Sequence, residues 1–469
     1  MPTLQASILA SCLALAASAA PTSQHKTCEV PSQYASSNGT ADDSPAIAKA
    51  FADCADGGTI CFAEGVEYNV FKPIEATNLS HVTIEMMGNL NLPQDIPYVQ
   101  NLSVDHWFVF EGPGLHYIST TNVSTGWINS YGQAWWDANE YPNTGIDGRP
   151  HLISIDTTGG KIQNFKSRKP IAWGMSVDGS DIEIDGMVVD AYSATGSFPF
   201  NTDGMDLGGT DITVTNSVIY NGDDAFAIND GAHNVYIKDA TIGYQTHGMS
   251  IGSLGSDQAE FANVSNITFD GVSVINGIYG ARFKSWQGGQ GLAKDITWKN
   301  IDVYNVTFPI FVTQTYIDQG DKDGDARPNN SSVNMENFTW TNWTGTINTY
   351  MPGDGSCASD VSHLFFSQNQ KPQPPSFFSS SPIELLTNKS TLVSAQPCWY
   401  NVGLPDLAHT EAVILECNSA TSCRNFELSN IQVIPQSMAP PTIICMNAEA
   451  ELNPDLGFDC RNGTFVPMA

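Results

Sequence analysis

The sequence predicts an all-β fold, a right-handed parallel β-helix (a solenoid) with a short N-terminal capping helix, and three observations carry that prediction. A nine-residue unit recurs at Asp181–Val189, Asp211–Ile219, Asn234–Ile242, Asn266–Val274 and Asp295–Val303, with a further copy at Asn425–Val433. Each unit alternates apolar and polar residues, passes a polar two-residue turn and resumes as a second short alternating stretch, which is the pattern of two strands joined by a turn. The first apolar residues, Ile182, Ile212, Val235, Ile267 and Ile296, follow one another at steps of 30, 23, 32 and 29 residues, the length of a solenoid coil with loops of variable size. The turns are built from Asn, Asp and Gly, which tolerate the left-handed backbone that swings a chain from one sheet to the next. A β-sandwich or a β-propeller would also use short strands, but a propeller blade needs about 40 residues per repeat, more than the period seen here.

In chain order, residues 1–19 read as a secretion signal: an apolar run from Ala6 to Ala16 leads into Ala17, Ser18 and Ala19, although Lys and Arg are missing before the run. Such a stretch is too short to span a bilayer, and no other segment is apolar for long enough, so a secreted, extracellular protein without a membrane partner is expected. Ala41–Ala55 has helical spacing in Ile47 and Phe51, with Asp42, Asp43 and Ser44 placed to cap it, and would cover the open N-terminal end of the solenoid. The stretch 372–382, rich in Pro, Ser and Phe, reads as an exposed loop. No linker divides the chain, so residues 20–469 are expected to form one β-helix unit and to act as a monomer.

Cysteines and glycan acceptors fit the same compartment. With Cys12 lost alongside the signal, nine cysteines remain near the two ends, an odd number that predicts one thiol left over. The pairs Cys28 with Cys54, Cys417 with Cys423 and Cys445 with Cys460 would staple terminal coils that lack a neighbour. Zinc is the competing reading and lacks CxxC spacing. Asn-x-Ser/Thr acceptors recur along the chain, among them Asn38, Asn122, Asn266 and Asn342.

The formal charge of −30 excludes nucleic acid as a natural partner, because phosphate binding needs a basic stripe. A polyanionic substrate stays compatible, since a sequence pI near 4.3 means that most of this charge is titrated away in an acidic medium.

Chemistry gathers on successive coils. Asp203 lies in Asn201-Thr-Asp-Gly204, and Asp223 and Asp224 lie in Asn221-Gly-Asp-Asp224, about one coil later; His247 follows one coil on, then Arg282 and Lys284. Residues i and i+2 of a strand share a face, so Arg282 and Lys284 should point together beside the carboxylates. Glycoside hydrolysis needs one protonated carboxyl and one ionised carboxylate, and crowding three carboxylates separates their proton affinities. Two cations suit a sugar that carries its own carboxylate. Singly, each aspartate reads more readily as a turn residue than as a catalytic one, and His247 could be a hydrogen-bonded core histidine; it is their joint order that reverses this.

These segments, taken in order, resemble the signature of the polygalacturonase-type glycoside hydrolases of family 28, with a weaker likeness at Gly132-Gln-Ala-Trp-Trp136 and in the Cys-rich C-terminus. The resemblance implies an inverting displacement in which Asp223 is the general acid and Asp203 and Asp224 hold and deprotonate the water. It implies further that His247 tunes Asp223, while Arg282, Lys284, Tyr316 and Asn201 bind substrate, with no metal and no cofactor. The substrate would be an acidic plant cell-wall polysaccharide, homogalacturonan or its oligomers. Endo-acting members usually carry Cys after Asp-Asp and Gly before His-Gly, where this chain has Ala225 and Thr246; Gly222 in place of the endo-type Gln resembles the exo-acting and xylogalacturonan-cleaving branches. Removal of terminal galacturonate is therefore the expectation, with endo-cleavage of galacturonan or xylogalacturonan as the alternative. A lyase would not need three aspartates in one groove, and a non-catalytic binding solenoid would tolerate Asp223→Asn.

Overall fold

The computed structural model describes residues 26–139, 145–316, 331–348 and 410–468. The expected signal, the 372–382 loop, Cys357 and Cys398 lie outside these residues. What is described is a right-handed parallel β-helix in which strands of successive coils pair in parallel register. The exception is the pairing of Val466–Pro467 with Thr442–Met446, which is antiparallel.

The repeat units stack as their pattern requires. Ile182, Ile212, Val235, Ile267, Ile296 and Phe338 are consecutive register partners, all buried, and form one apolar ladder. A second ladder runs through Ile184, Val214, Ile237, Phe269, Trp298, Trp340 and Leu428. In it Phe269, Trp298 and Trp340 stack nearly face to face at 5.9 and 5.4 Å. Each large side chain so buried contributes roughly 1.5–3 kcal/mol, which is why the solenoid needs no other core.

The turns carry the left-handed backbone their residues suggest. The first residue of each unit, Asp181, Asp211, Asn234, Asn266 and Asp295, has φ between +55° and +58°. Their side chains link coil to coil, for example Asn234 Nδ2 to Asp211 Oδ1 at 2.8 Å and Asn337 Nδ2 to Asp295 Oδ1 at 2.7 Å. Asn337–Gly345 is a copy of the unit that the sequence reading does not include; it lies 42 residues past its predecessor, and Gly345 replaces its final apolar residue.

A helix forms over Ser44–Asp53, within the 41–55 span. Asp43 is its N-cap residue but makes no side-chain cap; its carboxylate instead accepts from the backbone of Gln33 and Asn69. Cys28–Cys54, Cys417–Cys423 and Cys445–Cys460 are disulfides as expected. Cys61 is disulfide-bonded too, so the expected leftover thiol is not among the described residues.

The site is positioned by the sheet containing Met205–Leu207, Asp224–Ile228, Gly248–Leu254, Tyr279–Trp286 and Phe308–Tyr316. Its inward column is Met205, Phe226, Met249, Ala281 and Ile310; its outward column is Asp206, Ala227, Ser250, Arg282 and Phe311. Strand alternation thus turns one face into core and offers the other as a groove floor.

Candidate active site

Asp203 and Asp223 each sit just before a strand of this sheet, at the bend where the chain enters a new coil. Asn221 fixes the bend: its buried amide donates to the carbonyl oxygens of Thr202, Asp223 and Asp224 at 2.9, 2.8 and 3.0 Å. Backbone bonds from Gly204 N to Asp224 O and from His247 N to Asp223 O then set the three coils in step. Gly248 is required after His247, because it has φ +78° and a Cβ there would lie 2.1 Å from Gly280 O. Sequence reasoning did not single out Asn221; a buried amide at a coil junction looks the same as the other turn asparagines.

Asn201, Asp203, Asp223, Asp224, His247, Arg282, Lys284 and Tyr316 all line one cavity of about 180 Å3, so every residue expected at the site is brought together. The structure adds Trp173, Asp206 and Asn229 to its walls. A larger cavity of about 490 Å3 near Tyr34, Phe71, Tyr98 and Tyr131 has Asp95 as its one carboxylate and no cation in its lining, so the acid–base chemistry belongs to the smaller one.

The carboxylates have distinct partners. Asp224 is clamped: Lys284 Nζ is 2.6 Å from its Oδ2, Ser250 Oγ donates to its Oδ1 at 2.5 Å, and Arg282 Nη1 lies 3.8 Å away. Asp223 Oδ1 lies 2.7 Å from His247 Nδ1 and accepts from the backbone N–H of Asp224 at 2.8 Å. Burial alone would raise Asp223, but His247, Lys284 and Arg282 outweigh it and hold it below the usual carboxylate range. Burial first, then the charges of Asp223, Asp206 and Asp224, push Asp203 well above that range. Asp206 is raised by burial, Asp224 and Asp223 to about 7. Asp203 Oδ1 and Asp206 Oδ2 are buried with no protein hydrogen-bond partner, which leaves them for a water or a sugar hydroxyl.

His247 Nδ1 is also 3.1 Å from Arg282 Nη1. One ring nitrogen cannot donate to Asp223 and accept from Arg282 at once. Asp223, Asp224 and His247 are close enough to hold a metal ion. Lys284 and Arg282 already compensate that charge from within the cluster, so the donor set does not call for one. Tyr316 is held edge-on by Trp286 at 5.4 Å, its ring 5.5 Å from Lys284 Nζ and 5.8 Å from the Arg282 guanidinium.

On the outward face beyond Arg282 lies a separate apolar cluster of Ile278, Tyr279, Phe308, Phe311, Ile414 and Ile444, with Phe198 packed against it. Tyr279 meets His247 edge-on at 5.6 Å and carries the Arg282 guanidinium 4.2 Å from its ring centre. The cluster thus packs behind His247 and Arg282, without itself lining the cavity.

Comparison with known proteins gives the following. Residues 70–362 match glycosyl hydrolases family 28. The chain is 52% identical over 446 residues to a protein named probable exopolygalacturonase C of Neosartorya fischeri, covering 94% of this chain and 93% of that one. It is 55% identical to the probable exopolygalacturonase C of Aspergillus terreus, again over 94% and 93% of the two chains. Among solved structures it resembles the endo-xylogalacturonan hydrolase from Aspergillus tubingensis with a TM-score of 0.67 and 22% identity, over 93% of this chain and 99% of that one, a likeness of fold.

Proposed function

The chain belongs to glycosyl hydrolases family 28, and from that premise we propose that it removes terminal galacturonate from α-1,4-linked polygalacturonate with inversion of configuration. The observation that carries this reading is the pairing of a carboxylate cluster with two buried cations, Arg282 and Lys284, in a cavity of about 180 Å3. That volume is below the roughly 300–1,000 Å3 that a drug-sized ligand fills, and suits one sugar unit more than a run of them. Relatives that are 52 and 55% identical carry the name probable exopolygalacturonase C, which supports the exo reading.

In this mechanism Asp223 protonates the departing glycosidic oxygen while Asp203 and Asp224 orient and deprotonate the water. A galacturonate carboxylate that reaches Arg282 and Lys284 neutralises part of the charge holding Asp223 down. Substrate binding therefore raises the proton affinity of Asp223 while the sugar is in place. Asn201 and Tyr316 border the sugar.

The reading extends to a secreted, monomeric enzyme of the plant cell wall, cut after residue 19, with residues 20–469 as one catalytic unit. Among the described residues no helix is long and apolar enough to cross a membrane. The test is product analysis on polygalacturonate, with viscosity and released sugars followed together and Asp223→Asn as control. Monogalacturonate with little fall in viscosity is the expected result, reduced at least about a hundredfold in the variant. Rapid thinning with mixed oligomers would move the assignment to an endo enzyme.

A further inference from the structure

Arg149 lies outside the residues given catalytic or binding roles above, yet its guanidinium reaches three parts of the site wall. Nη2 donates to Asn201 Oδ1 at 2.8 Å and Nη1 to Phe200 O at 3.0 Å, while Nε donates to Ile146 O at 3.1 Å. The guanidinium carbon also lies 5.3 Å from the ring centre of Trp173, a residue that lines the cavity and stacks on His151 at 4.3 Å. We propose that Arg149 is a positioning residue for the hydrolysis: by pinning the acceptor end of the Asn201 amide it turns the donor end toward Asp223, and it ties that amide to the wall formed by Phe200 and Trp173.

The argument rests on what each group can do. Arginine has donors only, so the atom of Asn201 facing it must be the oxygen, and the –NH2 must face the other way. There it meets Asp223 Oδ2 at 3.4 Å, a long contact that a sugar oxygen can share. A flipped amide would aim its oxygen at the Asp223 carboxylate and at an oxygen of the substrate. Asn201 is held in a left-handed conformation, φ +53°, so its backbone does not choose the amide orientation and the side-chain partner must. Lysine would keep the charge but lose the planar fork that reaches Phe200 O and Asn201 Oδ1 together.

The ionisable groups around Asp223 are His247, Lys284 and Arg282, with the carboxyls of Asp203, Asp206 and Asp224 opposing them, and Arg149 interacts electrostatically with Asp223, Asp203 and Asp147. Loss of Arg149 removes one charge and one oriented donor that favour the ionised form of Asp223. The proton affinity of Asp223 should rise, and the alkaline limb of kcat/KM, where the general acid loses its proton, should move to higher pH.

The inference rests on the proposed exo-hydrolysis and is tested in a cycle of Arg149→Gln, Asn201→Ala and the double variant on polygalacturonate, with Arg149→Lys alongside. Expected are a fall in kcat of about ten- to a hundredfold for Arg149→Gln, an alkaline limb at higher pH, and a double variant no slower than the poorer single one. Arg149→Lys should stay impaired although it keeps the charge. Losses that multiply in the double variant, or an unmoved pH limb with kcat restored in Arg149→Lys, would overturn the inference. If Arg149→Gln does not fold, the pH limb of Asn201→Ala against that of Arg149→Lys decides: equal upward shifts support the coupling, and no shift in either rejects it. Wild-type enzyme that releases no galacturonate would defeat the functional reading itself, a different outcome from an active enzyme without coupling.

Discussion

Gly222 and Pro199 are in contact so close that no side chain fits between them: a Cβ at 222 would lie 2.5 Å from Pro199 Cγ and 2.6 Å from Pro199 O. The obstacle is space alone, since residue 222 is outside the left-handed region. Thr202 seals the junction, donating to Pro199 O at 2.8 Å and accepting from Gly222 N–H at 3.0 Å. The loop so held packs Phe198 against the apolar cluster and leads to Asn201 and Asp203. Gly222→Ala must push that loop outward, and we expect it to cost about 1–3 kcal/mol in stability and to lower kcat about a hundredfold through misplacement of Asn201 and Asp203. Thermal melting and kinetics on polygalacturonate check both, and an active, equally stable variant would show that the loop yields freely.

Lys284 and Asp224 form an ion pair at 2.6 Å with both side chains nearly inaccessible. Removing one member strands the other charge in the interior, which typically costs about 3–5 kcal/mol. Lys284→Met should therefore melt well below wild type and lose activity, while Lys284→Met combined with Asp224→Asn should regain stability but not activity. Equal melting of the single and the double variant would mean that Arg282, 3.8 Å away, or water balances Asp224 without Lys284.

Much of this arrangement is legible in the sequence because the repeat is. Once Ile182, Ile212, Val235, Ile267 and Ile296 define the coil, Asp203, Asp223, His247 and Arg282 follow as neighbours on successive coils, and the structure brings them to one cavity. What the sequence hides are residues whose role depends on loops of variable length. Arg149 is 52 residues from Asn201, in a segment with no repeat, and nothing local marks it. Asp206 shares its motif with Asp203, but only the outward column of the sheet shows that it faces the cavity. The copy at Asn337 escapes because the period lengthens to 42 residues.

If water attacks from the side of Asp203 and Asp224 while Asp223 protonates the leaving oxygen, an α-linked substrate must first release the β-anomer. Proton NMR of the first turnovers should show that anomer before mutarotation. Early α-anomer would instead require a covalent intermediate, and Asp203 or Asp224 would have to be its nucleophile.

Glu416 offers a test of pH dependence away from the proposed acid and base. Its buried carboxyl accepts from Thr313 Oγ1 at 2.5 Å and Thr315 Oγ1 at 2.7 Å, one residue before Tyr316. Burial raises it from 4.5 to about 7, with the two hydroxyls opposing only in part. Between those values the folded protein keeps a proton that the unfolded chain has released, so stability falls as pH rises through the window. The contribution is fully present below about 4.5 and lost above about 7, on the order of 3 kcal/mol for the single group. Asp206, also raised to about 7, adds a slope of the same sign. Asp223, held below the usual range, acts oppositely and only at lower pH, where its contribution is lost as pH falls. The melting temperature should therefore decline from pH 4.5 to 7.5. Glu416→Gln keeps the shape and cannot ionise, so it should flatten that decline and be more stable than wild type at pH 7.5. Parallel melting curves for the two proteins across this range would show that Glu416 is already solvated or neutralised when the chain is folded.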